Sequence, residues 1–301
     1  MASCIRLFLV LLLISPITAC KQSGEKAVSE GKEQKDSALK TQNVVFESAG
    51  IELAGTMYIP AQPQAALVLV HGSDRTPRMA ELGRFLAQND LLVLTYDKRG
   101  IGESGGVYAG PEVGTNNIST ENLNLLAQDA NAAVATLKKF NADLPLGLLG
   151  FSQAGWIIPI AAGQNEQIDF MALFSCPTIT TLEQLRFQFY TNGDADFWNT
   201  HTEADAREHM NNDPDRYQFA PTDPKELLKN LSIPGLWLFG EKDIQIPVKV
   251  CIEQLNALRL QDKPFEYVLF PELGHNTNKK EPLEIALNWI KRQALNIQNS
   301  K

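Results

Sequence analysis

A serine flanked by small residues is the first feature of this sequence that could carry chemistry. Ser152 lies within residues 150–155, Gly-Phe-Ser-Gln-Ala-Gly, between an apolar run at 146–149 and a helical pattern at 156–162. A serine at a sharp strand-to-helix turn needs small neighbours because its backbone is strained. Such a turn exposes the hydroxyl beside a helix N-terminus, whose N–H groups stabilise developing negative charge. Ser152 is therefore the candidate nucleophile, and a serine that merely caps a helix is the structural alternative.

An aspartate and a histidine follow Ser152 along the chain. A serine hydroxyl needs an adjacent base to take its proton, and His275, which follows the last short apolar run, is the candidate base. Asp243 directly follows another apolar run and is the candidate acid that would fix the histidine tautomer. Glu241 is a weaker alternative. The other histidines lie in a His-Gly turn or in a charged stretch typical of a solvated helix face: His71, His201 and His209.

The order serine, acid, histidine resembles that of the α/β-hydrolase superfamily, and the resemblance extends from about residue 44 to the C-terminus. It implies that Ser152, Asp243 and His275 form a catalytic triad, and the family spacing of a glycine, two residues and an aspartate favours Asp243 over Glu241. Ala154 departs from the family pattern Gly-x-Ser-x-Gly. Alanine is still small enough for a close approach of helix and strand, so the mechanism is little affected.

The resemblance also implies an oxyanion hole built from two backbone N–H groups. The N–H of Gln153, directly after the nucleophile, is one expected donor. Residues 71–74, His-Gly-Ser-Asp, resemble the family's H-G-x-x element, and the second donor is expected at Ser73, within one residue. Each such donor typically stabilises the transition state by about 3–4 kcal/mol.

Apolar runs of strand length alternate with helical periodicity along most of the chain. Strands are predicted at 44–48, 51–59, 66–70, 91–95, 146–149, 170–174, 236–239 and 265–270. Helices are predicted near 78–88, 120–140, 156–162 and 247–258, and a last helix contains Leu283, Leu287, Ile290 and Ala294 at helical spacing. This alternation indicates an α/β fold with a mostly parallel central sheet and helices on both faces.

The alternation is interrupted at about residues 177–230, where no strand is indicated. This interval resembles the helical cap that many α/β-hydrolases carry over the active site. Its aromatic residues would face the substrate, form a small core of the insertion itself, or do both. They are Phe187, Tyr190, Phe197, Trp198, Tyr217 and Phe219.

The first twenty residues predict a signal peptide, because Arg6 precedes an apolar run at 7–14 that is too short to span a bilayer. Residues 17–20, Ile-Thr-Ala-Cys, resemble a bacterial lipobox, which implies lipidation of Cys20. A plain secretory signal is the alternative. By the same resemblance, Lys21 favours the outer membrane of the bacterial cell envelope. Residues 21–42 are polar and predict a flexible tether, followed by the hydrolase domain at 43–301.

Composition bounds the remaining possibilities. The 301 residues are 44% hydrophobic and 21% charged, which is typical of one large α/β domain. A net charge of −8 without a basic stripe argues against a nucleic-acid partner. In an oxidising compartment, Cys176 and Cys251 could form a disulfide, although two buried thiols are the simpler interpretation.

A glycine motif at residues 100–105, Gly-Ile-Gly-Glu-Ser-Gly, matches the dinucleotide pattern G-x-G-x-x-G. That fingerprint must open directly into a helix, whereas further glycines keep this chain in a loop. The string at 96–104 resembles a structural loop of α/β-hydrolases instead. The sequence contains no P-loop and no Cys/His cluster with zinc spacing, so no metal or organic cofactor is implied.

These observations predict a serine hydrolase that acts on a carboxylic ester or a similar acyl bond of a small-molecule substrate. Residues 55–60 also resemble the dienelactone-hydrolase and prolyl-oligopeptidase-like branches, so a peptidase is the alternative among hydrolases. An acyltransferase would use the same triad when an alcohol or amine outcompetes water. A surface lipoprotein that keeps the fold but acts by binding is the non-enzyme alternative.

Overall fold

A twisted sheet of eight strands forms the centre of the protein. The computed structural model describes residues 39–110, 117–212 and 220–300, and the strand order within them is β1-β2-β4-β3-β5-β6-β7-β8. The pairs β1–β2 and β2–β4 are antiparallel and the other five pairs are parallel. The predicted mostly parallel sheet is therefore confirmed, with an antiparallel hairpin at one edge.

The strands and helices alternate as the sequence predicts. The strands are β1 (Lys40–Ser48), β2 (Ile51–Ile59), β3 (Ala65–Val70), β4 (Leu91–Tyr96), β5 (Leu146–Phe151), β6 (Phe170–Phe174), β7 (Gly235–Gly240) and β8 (Phe265–Phe270). The helices of the described residues are α1 (Ala80–Gln88), α2 (Thr120–Phe140), α3 (Ala154–Gln164), α4 (Thr181–Thr191), α5 (Phe197–Thr200), α6 (Glu203–Asn212), α7 (Pro224–Asn230), α8 (Val248–Arg259) and α9 (Lys280–Asn299).

Both faces of the sheet are covered by apolar side chains. One face packs against α2, α3 and α8 through residues such as Leu148, Ile158 and Leu255. The other face packs against α1 and α9 through residues such as Leu69, Leu86 and Ile290. Burial on both faces explains why the central strands are continuous apolar runs rather than alternating ones.

The register of the central strands aligns their carboxyl ends. Val70 of β3 lies beside Gly150 of β5, and Phe151 of β5 lies beside Phe174 of β6. The loops that follow these strands therefore leave the sheet at the same edge. In open α/β sheets this edge is where ligands bind.

Helices α4 to α7 form the helical insertion between β6 and β7. Helix α4 begins with a capping box in which Thr180 and Glu183 satisfy each other's backbone N–H groups. Phe187, Phe197, Ala206 and Met210 form a separate apolar cluster, and Tyr190 and Trp198 pack against it. The predicted aromatic residues thus build a core for the insertion itself, while Tyr217 and Phe219 lie outside the described residues.

Two histidines of the insertion differ from their prediction as residues on a solvated face. His201 stacks on Phe197 with ring centroids 4.3 Å apart, and His209 stacks on Tyr190 at 4.0 Å. Both imidazoles are half-buried. The charged neighbours in the sequence do not predict this packing. It arises because α6 packs His209 against Tyr190, an aromatic residue of α4.

Strand β1 begins at Lys40, four residues before its predicted start, so residues 40–42 of the predicted tether belong to the sheet. The predicted signal peptide, the lipidation of Cys20 and residues 21–38 of the tether lie outside the described residues. Among the helices of the described ranges, none is long and apolar enough to cross a membrane.

Candidate active site

Ser152 lies at the turn between β5 and α3, in a backbone conformation that few residues other than glycine adopt. Its φ angle is +50°, and its N–H donates to the carbonyl of Phe174 at 3.0 Å. The turn is sharp enough that a Cβ at Gly150 would lie 2.4 Å from the Cβ of Ala154. The strained turn that the small residues predict is therefore present.

The alanine at position 154 has a simple structural reading. Its side chain packs over Gly150, whereas a Cβ at Gly155 would lie 2.6 Å from the carbonyl oxygen of Pro177. The close approach between α3 and the segment after β6 therefore occurs at Gly155. The glycine of the family pattern is thus replaced by alanine at 154, and Gly155, one residue later, allows the close contact with Pro177.

The structure brings Ser152, His275 and Asp243 into one hydrogen-bonded chain. Nε2 of His275 lies 3.0 Å from Oγ of Ser152, and Nδ1 lies 2.8 Å from Oδ2 of Asp243. The carboxylate only accepts, so the Nδ1–H must donate to it, which leaves Nε2 as the acceptor for the serine hydroxyl. This is the tautomer that a base needs in order to take the serine proton.

Asp243 is held by more than the histidine. Its Oδ1 accepts the backbone N–H groups of Gln245 at 2.7 Å and Ile246 at 3.1 Å, and its side chain is fully buried. The indole N–H of Trp198 in the insertion also donates to the backbone carbonyl of Asp243. Glu241, the alternative acid, is exposed. The acid that meets the histidine is therefore Asp243.

The loop that carries His275 is tied to the strand ends by two residues that the sequence reading does not single out. Oγ of Ser175, at the end of β6, lies 2.8 Å from Oγ1 of Thr277, and both side chains are buried. Thr277 also donates its N–H to the carbonyl of His275. Ser175 has a φ of +48°, so a second strained serine lies beside the first.

The predicted oxyanion residues lie on both sides of the nucleophile. Gln153 is the N-cap of α3, where the first N–H groups have no acceptor within the helix. Ser73 lines the same cleft as Ser152, and a Cβ at Gly72 would lie 3.6 Å from the Cβ of Ser152. The loop after β3 thus runs directly beside the nucleophile. The roles of Ser73 and Gln153 as donors stay a prediction.

His71 precedes this loop and is a buried, neutral imidazole. Its Nε2–H donates to the carbonyl of Tyr96 at 2.6 Å, and its ring packs edge-on against the Tyr96 ring. Burial, assisted by the positive charge of Lys98, lowers the pKa of His71 from 6.5 to about 4. His71 therefore holds the loop in place without carrying charge at neutral pH.

The cleft above Ser152 has a volume of about 460 Å³. Its apolar part consists of Met79, Phe151 and Phe174, and the two phenylalanine rings are 5.1 Å apart. Its rim is polar and is lined by Asp74, Thr76, Gln245, Asn276 and Asn278. Among the residues that the structure describes, no aromatic side chain of the insertion lines this cleft. Trp156 is buried and donates to the carbonyl of Ile179.

The glycine motif at 100–105 forms a structural loop. The carboxylate of Asp97 accepts N–H groups of Arg78 and Glu103, and Arg99 pairs with the buried Asp129 of α2. Ser104 donates to the Asp97 carbonyl and accepts the N–H of Ala54 in β2. These bonds tie the loop to three other parts of the domain, and residues 106–110, which follow the glycines, are not helical.

The two cysteines of the domain, Cys176 and Cys251, are buried free thiols. Burial raises the pKa of Cys251 to about 12, and it raises the pKa of Cys176 as well. Neither residue lines the cleft.

Comparison with known proteins supports the fold that this geometry indicates. A family model described as serine aminopeptidase, S33, matches residues 61–194, a stretch that contains Ser152 and ends before Asp243. No curated protein sequence matches the chain significantly.

Solved structures resemble the protein along most of its length. An esterase of Pyrococcus furiosus is 15% identical, with 92% of this chain and 95% of the esterase covered at a TM-score of 0.60. A Klebsiella pneumoniae protein assigned as a dienelactone hydrolase is 17% identical, with 86% and 99% covered at a TM-score of 0.61.

A larger enzyme contains a domain of similar fold. The acylaminoacyl peptidase of Pyrococcus horikoshii is 15% identical, and the alignment covers 83% of this chain but only 39% of the peptidase, at a TM-score of 0.56. Strand order, the local family match and these neighbours together identify the chain as a protein of the α/β-hydrolase fold.

Proposed function

We propose that the protein is a serine hydrolase that cleaves carboxylic esters with a short acyl group. The observation that carries this proposal is the chain of hydrogen bonds from Ser152 through His275 to Asp243. A histidine that can accept the serine proton, and that is oriented by a buried carboxylate, activates a serine for acyl transfer. The small apolar surface of Met79, Phe151 and Phe174 supports a short rather than a long acyl chain.

The reaction proceeds through an acyl-enzyme. Oγ of Ser152 attacks the carbonyl carbon while its proton moves to Nε2 of His275, and Asp243 stabilises the resulting imidazolium. The N–H groups of Ser73 and Gln153 stabilise the oxyanion. His275 then protonates the departing alcohol, the acyl-enzyme forms, and a water activated by the same histidine releases the acid and regenerates the serine.

Ester hydrolysis by the full-length chain in mild detergent tests this proposal. We expect turnover of p-nitrophenyl acetate and butyrate, much weaker turnover of the palmitate ester, and loss of all three in Ser152→Ala. Ser232→Ala is the control, because it makes the same change at an exposed serine that does not line the cleft. Ester turnover that persists in Ser152→Ala would refute the proposal.

A peptidase is the second candidate, and the match to the serine aminopeptidase family favours it. The same triad would cleave an amide if the polar rim of the cleft bound a substrate amino group. Aminoacyl p-nitroanilides separate the two functions. Faster cleavage of these amides than of the matching amino-acid esters would favour the peptidase, because esters are intrinsically the easier substrates.

We also propose that lipid on Cys20 anchors the protein in the bacterial outer membrane. The lipobox-like residues 17–20 and the following Lys21 support this proposal. Membrane fractionation of the wild type and of Cys20→Ala tests it. The wild type should sediment with outer-membrane vesicles and the variant should be released, whereas equal distributions would contradict a lipid anchor.

A further inference from the structure

Three consecutive carbonyl groups of the loop after β3 are bound by two side chains of the neighbouring loop. Nζ of Lys98 donates to the carbonyls of Gly72 and Asp74, the latter at 2.8 Å. The hydroxyl of Tyr108 donates to the carbonyl of Ser73, which lies between them, at 2.8 Å. We call residues 72–74 the oxyanion loop and Lys98 with Tyr108 the clamp.

The clamp determines where the N–H groups of the oxyanion loop point. The C=O and the N–H of a trans peptide point in opposite directions, and the described residues contain no cis peptide bond. Because the Gly72 carbonyl faces Lys98, the N–H of Ser73 points away from Lys98. The N–H of Asp74 likewise points away from Tyr108. A Cβ at Gly72 would lie 3.6 Å from the Cβ of Ser152, so the peptide group that the clamp orients lies beside the nucleophile, where an oxyanion donor is needed.

Lys98 is placed for this task by its neighbours in the sequence. It is only 3% exposed, although lysine is rarely buried. The flanking Asp97 and Arg99 bind Arg78 and Asp129, respectively. Nζ of Lys98 also lies 5.4 Å from the ring centroid of Tyr108, within range of a cation–π interaction. The buried cation therefore belongs to a compact unit with Tyr108 and the oxyanion loop.

A buried cation on these carbonyls has an electrostatic consequence as well. A hydrogen bond to a C=O polarises the peptide group, and in a low-dielectric site this strengthens the N–H of the same group as a donor. Preorganised donors stabilise a transition state because they need no reorganisation during the reaction. Both effects act on the Ser73 N–H.

We propose that Lys98 and Tyr108 are positioning residues that fix and polarise the oxyanion loop. This inference rests on the proposed hydrolase function. It assigns a catalytic consequence to the glycine-motif loop, which otherwise ties β2, α2 and the segment around Arg78 together. Neither Lys98 nor Tyr108 lines the cleft, so the proposed effect passes through the backbone of residues 72–74.

Three variants test the proposal in the full-length protein. Lys98→Met removes the cation and two hydrogen bonds, and Tyr108→Phe removes one hydroxyl with little change of shape. Lys263→Met is the matched control, because Nζ of Lys263 also donates to a backbone carbonyl, that of Leu231. Lys263 precedes β8, at the opposite edge of the sheet. Each variant is compared in ester kinetics, in inhibition by a trifluoromethyl ketone and in hydrogen–deuterium exchange.

We expect kcat to fall about 10²-fold in Lys98→Met, as for a misplaced catalytic group. We expect a fall of roughly fivefold in Tyr108→Phe, as for one lost hydrogen bond. KM should stay near the wild-type value, and the inhibition constant of the ketone should rise with the loss of kcat/KM, because its tetrahedral adduct needs the same donors. Hydrogen–deuterium exchange at residues 71–79 should accelerate in Lys98→Met and Tyr108→Phe. It should not change in Lys263→Met.

The outcomes separate failure of the clamp from failure of the hydrolase proposal. Unchanged kcat and unchanged exchange at 71–79 in Lys98→Met would overturn the clamp. Absence of ester turnover in the wild type would refute the hydrolase proposal, and the exchange data would still decide whether the clamp holds the loop. If Lys98→Met unfolds, Tyr108→Phe decides, and an unaltered kcat and exchange rate in that variant would overturn the proposal.

Discussion

Replacement of Asp243 by asparagine should abolish most of the activity without unfolding the protein. One carboxylate oxygen accepts two backbone N–H groups, from Gln245 and Ile246, and the other accepts Nδ1–H of His275. In Asp243→Asn the amide oxygen must face the two N–H groups, because the opposite orientation would direct NH₂ donors at donors. The amide NH₂ then faces His275.

This orientation reverses the tautomer of the histidine. The NH₂ group donates to Nδ1, so the imidazole carries its proton on Nε2 and has no lone pair for the hydroxyl of Ser152. In serine proteases the equivalent change lowers kcat by about 10⁴-fold. That factor corresponds to about 5 kcal/mol of transition-state stabilisation. The fold should persist, because the bonds to both N–H groups are kept.

Hydrolysis of p-nitrophenyl acetate at neutral pH, together with the melting temperature, measures this effect. Glu241→Gln is the control, because it makes the same chemical change at an exposed carboxylate two residues earlier. It should leave kcat/KM unchanged. Asp243→Asn with more than a tenth of the wild-type activity, or an equal loss in Glu241→Gln, would refute the tautomer argument.

Three further predictions concern stability. Acid should destabilise the protein as the pH falls from about 6.5 to 4, because His71 has a folded-state pKa of about 4 and the unfolded chain binds the proton first. The free energy of unfolding, measured by denaturation at both pH values, should fall by up to about 3 kcal/mol between about pH 6.5 and 4. The same fall should be smaller in His71→Gln. Arg99→Met should lower that free energy by about 3 kcal/mol, because it leaves the carboxylate of Asp129 buried and unpaired. Gly150→Ala should lower it by roughly 1–3 kcal/mol and also reduce kcat, because the new Cβ displaces the turn that carries the nucleophile.

Matched variants separate these effects from general damage. Arg292→Met removes an exposed ion pair with Glu266 and should cost less than about 1 kcal/mol. Gly163→Ala adds a methyl group in α3 where nothing lies within 4 Å, and should be neutral or stabilising by up to about 1 kcal/mol. Losses in these controls equal to those in Arg99→Met or Gly150→Ala would contradict the structural reasons given.

The elements of the fold could be predicted because each carries a local signal. The central strands are buried on both faces, so they stand out as short apolar runs, and α2 matches its predicted bounds. The sequence predicts that β1 starts at residue 44, whereas the strand begins at Lys40, because its first residues are polar and exposed at the edge of the sheet. Edge strands lack the burial that makes a strand visible in sequence.

That the three candidate catalytic residues lie close together could be predicted for a different reason. Ser152, Asp243 and His275 each follow an apolar run, and parallel strands place their carboxyl ends at one edge of the sheet. Local sequence thus fixes which residues reach the edge. The distances among them depend on the register of the strands, which only the structure provides.

Residues that act through distant partners could not be predicted from the sequence. Lys98 and Tyr108 bind backbone carbonyls that are 24 to 35 residues away in the sequence. Every residue has such a carbonyl, so residue types cannot predict these contacts. The contact of Ser175 with Thr277 spans 102 residues. The aromatic residues of the insertion were visible, but whether they pack on one another or on the cleft is decided by the tertiary arrangement of α4 to α6.

The central claim is that Ser152 is a nucleophile activated by His275. Mass spectrometry after treatment with a fluorophosphonate tests it most directly, because the reagent forms a stable bond only with an activated serine. We predict one phosphonyl group per chain, located on the peptide that contains Ser152, no adduct in Ser152→Ala, and much slower labelling in His275→Ala. Labelling at another residue, or no labelling of folded wild-type protein, would contradict the account.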